Sequence, residues 1–409
     1  MPALDPYQRR LFALLSIATF FEGFDTMLAS LMLPQLGADF GASQAELFDT
    51  LAMLGLGALF GFVPLRFADR FGRRPLLLVS IGGYTVLCLM TAATRTLGEF
   101  VFCQFFARMF MVTEVALAYI VLSEEMPAER RGRLNGLLGA FASAGAILPA
   151  LLLPVSIELG FGWRGLYAAG GALIGLLPLY ITGLREPRAF ASLAPRTLSA
   201  EWSDLKSLVG VRYRRRFVAA ACVWLSIDFW NSCAMFSFSF YAQTERAWTP
   251  EDLALWIPLG GVLQFFGYVG AGRLMDRYGR RPIVLLYLLL ASAASALCYL
   301  ARGPLVIAGY FGMLALGGMW AVAQTISAEL FPTEIRATAG GITHHLIGRL
   351  GMTLGPKSVG LLAVALGSTG EAVALLGLLN LLAIPVIART LPETAGSALA
   401  DRQPDFLAP

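Results

Sequence analysis

The chain has 409 residues, 57% hydrophobic and 14% charged, with mean hydropathy +0.68 and a formal net charge of +4. A soluble domain carries about 25% charged residues, so this composition excludes an ordinary water-soluble enzyme. The small positive balance is loop charge near an anionic membrane face, not a nucleic-acid footprint.

A membrane-spanning helix needs about 20 apolar residues. About twelve such runs follow one another, at 11–36, 45–65, 75–94, 98–122, 134–157, 163–184, 217–241, 253–272, 282–301, 304–328, 338–365 and 369–388. The fold class expected is therefore all-α, in the membrane.

The first run follows Arg9 and Arg10 and carries Glu22 and Asp25, three residues apart and so on one helical face. At 1.5 Å per residue they lie about 18 and 22 Å beyond Arg10, near the middle of a hydrocarbon layer about 30 Å thick. Two carboxylates that close in a poorly hydrated cavity cannot both ionise easily. One reading is an acid that exchanges a proton. The other is a buried pair satisfied by backbone or arginine. Phe20, Phe21 and Phe24 crowd the same turns. The run is long, contains acids and ends without a small-residue cleavage site, so no signal peptide is expected.

After the second run comes the basic loop Asp69-Arg70-Phe71-Gly72-Arg73-Arg74-Pro75. The fourth run holds Glu114, about 20 Å from Pro127, and Arg108, which is expected to snorkel to the outer interface. It ends in Glu124-x-x-Pro127-x-x-x-Arg131. Arg185-Glu186-Pro187 closes the first half, and the polar segment 187–214 reads as a cytoplasmic linker, with an amphipathic helix expected at 200–209.

The seventh run places Asp228 about 18 Å beyond Arg216, with Asn231 on its face and Trp224, Phe229 and Trp230 around it. The loop motif then returns as Asp276-Arg277-Tyr278-Gly279-Arg280-Arg281-Pro282, 207 residues on. Glu329-x-x-Pro332-x-x-x-Arg336 repeats the fourth-run ending 205 residues on. The eleventh run carries His344, His345 and Arg349, with His345 four residues before Arg349 and so expected on its face. A histidine there could relay protons or bond a neighbouring helix. Arg349 lies about 20 Å beyond Arg336. Its planar guanidinium suits a substrate carboxylate, or it neutralises Asp25, Glu114 or Asp228. Lys357 is expected at the outer interface. Leu391-Pro392-Glu393-Thr394 closes the second half.

Basic residues gather after runs two, four, six, eight and ten and are sparse between the others. Basic loops stay cytoplasmic, so both termini are expected inside. The five cysteines fall in apolar runs without a C-x-x-C and read as core residues. No Walker A motif, metal-spaced cluster or nucleophile elbow occurs, so no metal, cofactor or catalytic activity is expected.

The doubled D-R-x-G-R-R loops resemble the signature of the major facilitator superfamily. The doubled E-x-x-P-x-x-x-R endings and Pro392-Glu393-Thr394-Ala395-Gly396 resemble its sugar-porter-like branch, which holds aromatic-acid:proton symporters and organic anion and cation transporters. Glu22-Gly23-Phe24-Asp25 is similar to the helix-one D-G-F-D segment of the aromatic-acid symporters, with Glu for the first Asp. Gly348-Arg349-Leu350-Gly351 is similar to a helix-eleven segment of the organic ion transporters, where anion carriers tend to have a basic residue. The family usually has a glycine four residues before the loop aspartate. Gly272 keeps it, but Leu65 replaces it in the first half, so helix approach is expected to be looser there.

The resemblance implies two six-helix bundles, 1–186 and 215–409, joined by 187–214. It implies a monomeric secondary transporter in a plasma membrane of the bacterial inner-membrane type, importing a small organic anion by proton symport, with aromatic carboxylates among the candidates. A sugar or polyol porter and a drug or metabolite:proton antiporter stay open. Glu22, Phe24, Asp25, Glu114, Asp228, Trp230, Asn231, His345 and Arg349 are the expected substrate and proton residues. Asp69, Arg70, Arg73, Glu124, Arg131, Asp276, Arg277, Arg280, Glu329 and Arg336 are the expected gate, a set of charge pairs that latch the inside and must break for release.

Overall fold

The computed structural model describes residues 4–126, 128–187, 210, 213–331 and 339–394; within helices, the side chains at 66, 67, 69, 70, 123, 124, 128–133, 135, 136, 276 and 328 lie outside that description. The expected gate side chains Asp69, Arg70, Glu124, Arg131, Asp276 and Arg336 therefore lie outside the described set, as does the helix expected at 200–209.

Nearly every described residue is helical, and among the described residues there is no strand. The helices are α1 Pro6–Leu31, α2 Gln44–Leu65, α3 Arg73–Ala92, α4 Leu97–Glu125, α5 Ala128–Glu158, α6 Gly162–Gly183, α7 Arg214–Glu245, α8 Pro250–Tyr278, α9 Arg280–Leu300, α10 Pro304–Ser327, α11 from Gly341 to Leu366, and α12 Thr369–Thr390. All but α11 qualify on length and apolarity as membrane spans, eleven in number among the described residues. The α11 segment is helical in two registers, π over Gly341–Gly348 and α over Arg349–Leu366. Leu382, Val364 and Phe266 are 69%, 63% and 62% exposed. Large apolar side chains this bare in water would form a sticky patch, whereas hydrocarbon is their natural solvent.

Helix starts follow local capping chemistry. Ser43 accepts from the Glu46 amide while the Glu46 carboxylate accepts from the Ser43 amide, a reciprocal box that begins α2. Asp5 and Gln8 do the same for α1.

Two compact units divide the chain: Met1–Pro195 with Ala242–Pro258, and Arg196–Tyr241 with Leu259–Pro409. In unit 1, α1 lies along α5, α3 along α4, and α2 against α4. Burial drives little association between helices in lipid, so close backbone contact through small residues takes its place. A Cβ at Gly145 of α5 would stand 1.9 Å from the Phe20 carbonyl oxygen of α1. In unit 2, α9 packs on α10 and α12, and α11 on α12. The α7–α11 crossing repeats the small-residue device, since a Cβ at Gly351 would meet the Phe229 amide nitrogen at 2.6 Å.

The expected difference between Leu65 and Gly272 does not hold. A Cβ at Gly272 would meet nothing within 4 Å among the described residues, while Leu65 packs against the unit 1 core. The close approach of α8 and α10 falls five residues earlier, where a Cβ at Gly267 would stand 2.2 Å from the Ala315 carbonyl.

Candidate functional site

Each unit buries ionisable side chains at its heart. In unit 1, Asp25 is wholly buried. Its Oδ2 lies 3.9 Å from Arg108 Nη2, and its Oδ1 accepts from the Cys88 thiol at 3.5 Å. Arg108 does not snorkel. It reaches from α4 to α1, donating to Thr26 Oγ1 at 3.0 Å and to the Asp25 and Thr26 carbonyls at 3.0 and 3.3 Å. Counting residues along α4 alone misplaced it, because the position of a long guanidinium is set by what it reaches and not by its Cα. Thr26 in turn donates to Glu22 Oε1 at 3.2 Å. Glu114 is 1% exposed, and neither carboxyl oxygen has a hydrogen-bond partner among the described residues. Glu22 acts on it electrostatically. Phe24 is buried against Gly170 of α6 and serves as packing.

Unit 2 is arranged differently. Asp228 is also wholly buried, yet both of its oxygens lack a hydrogen-bond partner among the described residues. A Cβ at Gly348 would stand 3.0 Å from Asp228 Oδ2, so this carboxyl presses on the backbone of α11. The charge of Arg349 reaches Asp228. Among the described residues, however, no carboxylate lies within 4.0 Å of the Arg349 guanidinium. Its recorded contacts are the Met352 sulfur and the Trp320 ring, 6.0 Å to the centroid. Trp230 donates its indole N–H to Ser295 of α9 at 2.7 Å and is 2% exposed, so it fills the α7–α9 packing. Asn231 is half-buried.

Arg349 acts electrostatically on both His345 and His344, so both lie within about one turn of it. The Arg349 amide bonds the His344 carbonyl, five residues back, as π geometry requires. His344 is the more buried of the two. Its ring stacks on Trp224 at 3.7 Å and 16° and stands edge-on to Trp320 at 4.9 Å. Trp224 is fixed by its own bond to Ser327 at 2.7 Å. The His345 ring lies 4.5 Å from that of His344.

The basic loops are built alike in the two units. Gly72 and Gly279 take φ of +104° and +95°, a region that disfavours side chains. Each precedes a helix whose first amides are met by a distant carboxylate. Glu186 accepts from the Arg73 and Arg74 amides at 2.5 and 3.1 Å. Glu393 accepts from the Arg280 and Arg281 amides at 2.9 and 3.0 Å. A carboxylate at a helix N-terminus satisfies free amides and complements the macrodipole. These acids come from beyond the ends of the sixth and twelfth runs; the Asp69 and Asp276 side chains of the same loops lie outside the described set. Equal spacing was the available signal, since Glu186 and Glu393 are also 207 residues apart. In unit 2, Arg280 further pairs with Glu329 at 3.2 Å, and Glu329 accepts from the Thr394 hydroxyl. Arg277 lies over the Tyr278 ring at 5.2 Å.

Outside the spans, the short helix Leu33–Phe40 ends in a clamp. Asp39 accepts from the Trp163 indole at 2.8 Å and pairs with Arg164 at 2.5 Å. The Trp163 bond, aided by Arg164, holds the Asp39 carboxyl below the usual carboxylate range.

Duplicated small-residue crossings, capped basic loops and charge buried inside a helix bundle define a membrane carrier of the repeat-built kind. The chain belongs to the Major Facilitator Superfamily, matched over residues 15–356 and 231–405. It is 27% identical to NiaP of Bacillus subtilis, a candidate niacin/nicotinamide transporter, over 87% of this chain and 89% of that one. It is 27% identical to the gallate transporter of Pseudomonas putida, over 98% and 95% of the two chains. The fold resembles the inward-open xylose transporter XylE of E. coli, with TM-score 0.76 and 19% identity over 96% and 98% of the chains. The protein is a transporter, integral to a membrane.

Proposed function

We propose that the protein imports a small organic anion, with ring-bearing carboxylates preferred, by proton symport. Bundles 1–186 and 215–409, joined by the cytoplasmic linker 187–214, work by alternating access, and both termini face the cytoplasm. The observation that carries this reading is Arg349. A half-buried guanidinium with no carboxylate within 4.0 Å among the described residues is free to take one from a substrate. The half-buried Trp320 ring beside it is suited to an aromatic ring, backed by the His344–Trp224 stack. The names of the gallate and niacin/nicotinamide relatives point to the same chemical class. The excess of basic residues in alternate loops supports the orientation. The loop arginines then bias the inward and outward states, and the protein works as a monomer.

The test is uptake of labelled nicotinate, gallate and benzoate into proteoliposomes, with and without an outside-acid gradient, against xylose and a cationic analogue. The expected result is accumulation of at least one carboxylate, raised by the acid gradient and inhibited by the others. Accumulation of xylose or of the cation with no carboxylate uptake overturns the reading.

A further inference from the structure

The buried carboxyls of unit 1 are not satisfied alike. Among the described residues, Glu22, Asp25 and Glu114 lie in one cluster with Arg108. Asp25 has Arg108 at 3.9 Å from Oδ2 and the Cys88 thiol on Oδ1. Glu22 is half-buried and accepts from Thr26. Glu114 has neither solvent nor a donor for either oxygen among the described residues.

A bare carboxylate in such a place is far costlier than a neutral carboxyl. Among the described residues, no cation is positioned to relieve it. Arg108 lies six residues earlier on α4, about 9 Å along the axis, and its guanidinium is turned to α1. The ionisable groups that act on Glu114 or are acted on by it are Glu22 from α1, Tyr84 from α3, Tyr119 on α4 itself and Tyr180 from α6. The Tyr84 and Tyr180 hydroxyls donate elsewhere, to the Phe21 carbonyl at 2.9 Å and the Leu14 carbonyl at 2.7 Å. The surroundings thus supply negative charge, and the Tyr84 and Tyr180 protons are already directed elsewhere.

We propose that Glu114 carries the transported proton, while Asp25, beside Arg108 and the Cys88 thiol, positions α1 on α4. The assignment rests on the symport reading above. An O–H bond forms at a Glu114 oxygen when a proton enters from the acid side and breaks on release to the other. No electron changes hands. Protonation removes the buried negative charge at Glu114, which offsets the charge of an entering anion.

Two measurements on the full-length protein in lipid test this. The first is infrared difference spectroscopy between acid and alkaline pH. Asp228 also lacks a partner on either oxygen among the described residues, so the spectra are taken in an Asp228→Asn background, where a protonated carboxyl stretch at the non-hydrogen-bonded end of the range should be present, lost on adding Glu114→Gln and kept on adding Glu22→Gln. The second is transport of nicotinate and gallate with a pH dye trapped inside. Glu114→Gln should lose both lumenal acidification on substrate entry and uphill accumulation, while exchange of labelled for unlabelled substrate continues at reduced rate. Glu114→Asp should recover part of the accumulation. A band that survives Glu114→Gln in that background, or a Glu114→Gln protein that acidifies the lumen as wild type does, overturns the proposal. If wild type moves neither probe, the symport reading falls, and the infrared band alone decides whether Glu114 holds a titrating proton; its absence from the Asp228→Asn protein overturns the assignment.

Discussion

In unit 1 the first-helix acid, Asp25, is held by an arginine from α4 that also ties down two α1 carbonyls. In unit 2 the acid 203 residues on, Asp228, has no partner on either oxygen among the described residues, and Arg349 nearby is uncommitted. The loops show no such divergence. Arg73 donates to the Ala68 carbonyl and Arg280 to the Met275 carbonyl, both at 3.1 Å, and Glu186 and Glu393 cap the helices that follow. These loop and cap bonds are repeated, with the Arg280–Glu329–Thr394 network added in unit 2, while the buried charge is redistributed. Helix crossings and helix starts have few physical solutions, so both copies use the same ones. A cavity has no such constraint, and its charge follows the solute.

Removing the two arginines tests this contrast most strongly. Arg108→Ala strands Asp25 in a dry interior with two further acids. Breaking a buried pair in this way costs about 3–5 kcal/mol, so the thermal midpoint in detergent should fall by many degrees. Arg349→Ala removes no recorded ion pair and should cost less than about 1 kcal/mol, yet abolish anion transport. Arg349→Lys keeps the charge without the bidentate fork, so affinity should fall while anion preference survives. Equal thermal losses in the two alanine variants would make Arg349 an internal counter-ion, and the two halves alike after all.

The capping glutamates come next in size. Losing a helix cap costs about 0.5–2 kcal/mol. Glu186→Gln should speed hydrogen exchange at the start of α3 and leave α9 unchanged. Glu393→Gln should do the reverse, and more strongly, because Arg280, Glu329 and Thr394 form one network with it. Exchange that is the same in both variants as in wild type would mean that the two carboxylates sit at the amides without holding the helices.

These contrasts also mark what the sequence could and could not disclose. Twelve apolar runs, the 207-residue repeat and the buried acids were legible because each is a pattern along the chain, of hydropathy, spacing or charge. The Arg108–Asp25 contact was not, since it joins two helices and no spacing within either encodes it. The π turn before Arg349 was not legible either. Its wider turn moves the backbone bond of Arg349 to the His344 carbonyl, and nothing in Gly341–Gly348 distinguishes π from α by composition. Trp230 and Phe24 read as pocket residues because aromatic side chains look the same in a core and in a cavity. Glu186 and Glu393 closed each half in plain sight, but their partners are amides more than 100 residues away.

The smallest effect concerns the ends of the first helix of each unit. Unit 1 uses charge there, with Asp39 held by Trp163 and Arg164. Unit 2 uses phenols: Tyr241 donates to the Tyr299 carbonyl at 2.9 Å, and Tyr299 donates to the Ala234 carbonyl. Phenols are uncharged at neutral pH, so only the unit 1 clamp should respond to acid. Because the folded Asp39 carboxyl lies below its unfolded value, its contribution is fully present above the unfolded value near 4 and is lost as pH falls through the folded one. Acidification from neutral to about pH 5 should therefore change nothing. Further acidification should speed exchange in Leu33–Phe40 but not around Tyr241. The Asp39 and Arg164 side chains are 42% and 41% exposed, so Asp39→Asn should cost no more than about 1 kcal/mol. The variant should also remove the acid response, since an amide can still accept from Trp163 but no longer titrates. Loosening of Leu33–Phe40 at pH 5, or an acid response that survives in Asp39→Asn, would assign the sensitivity to a group other than this clamp.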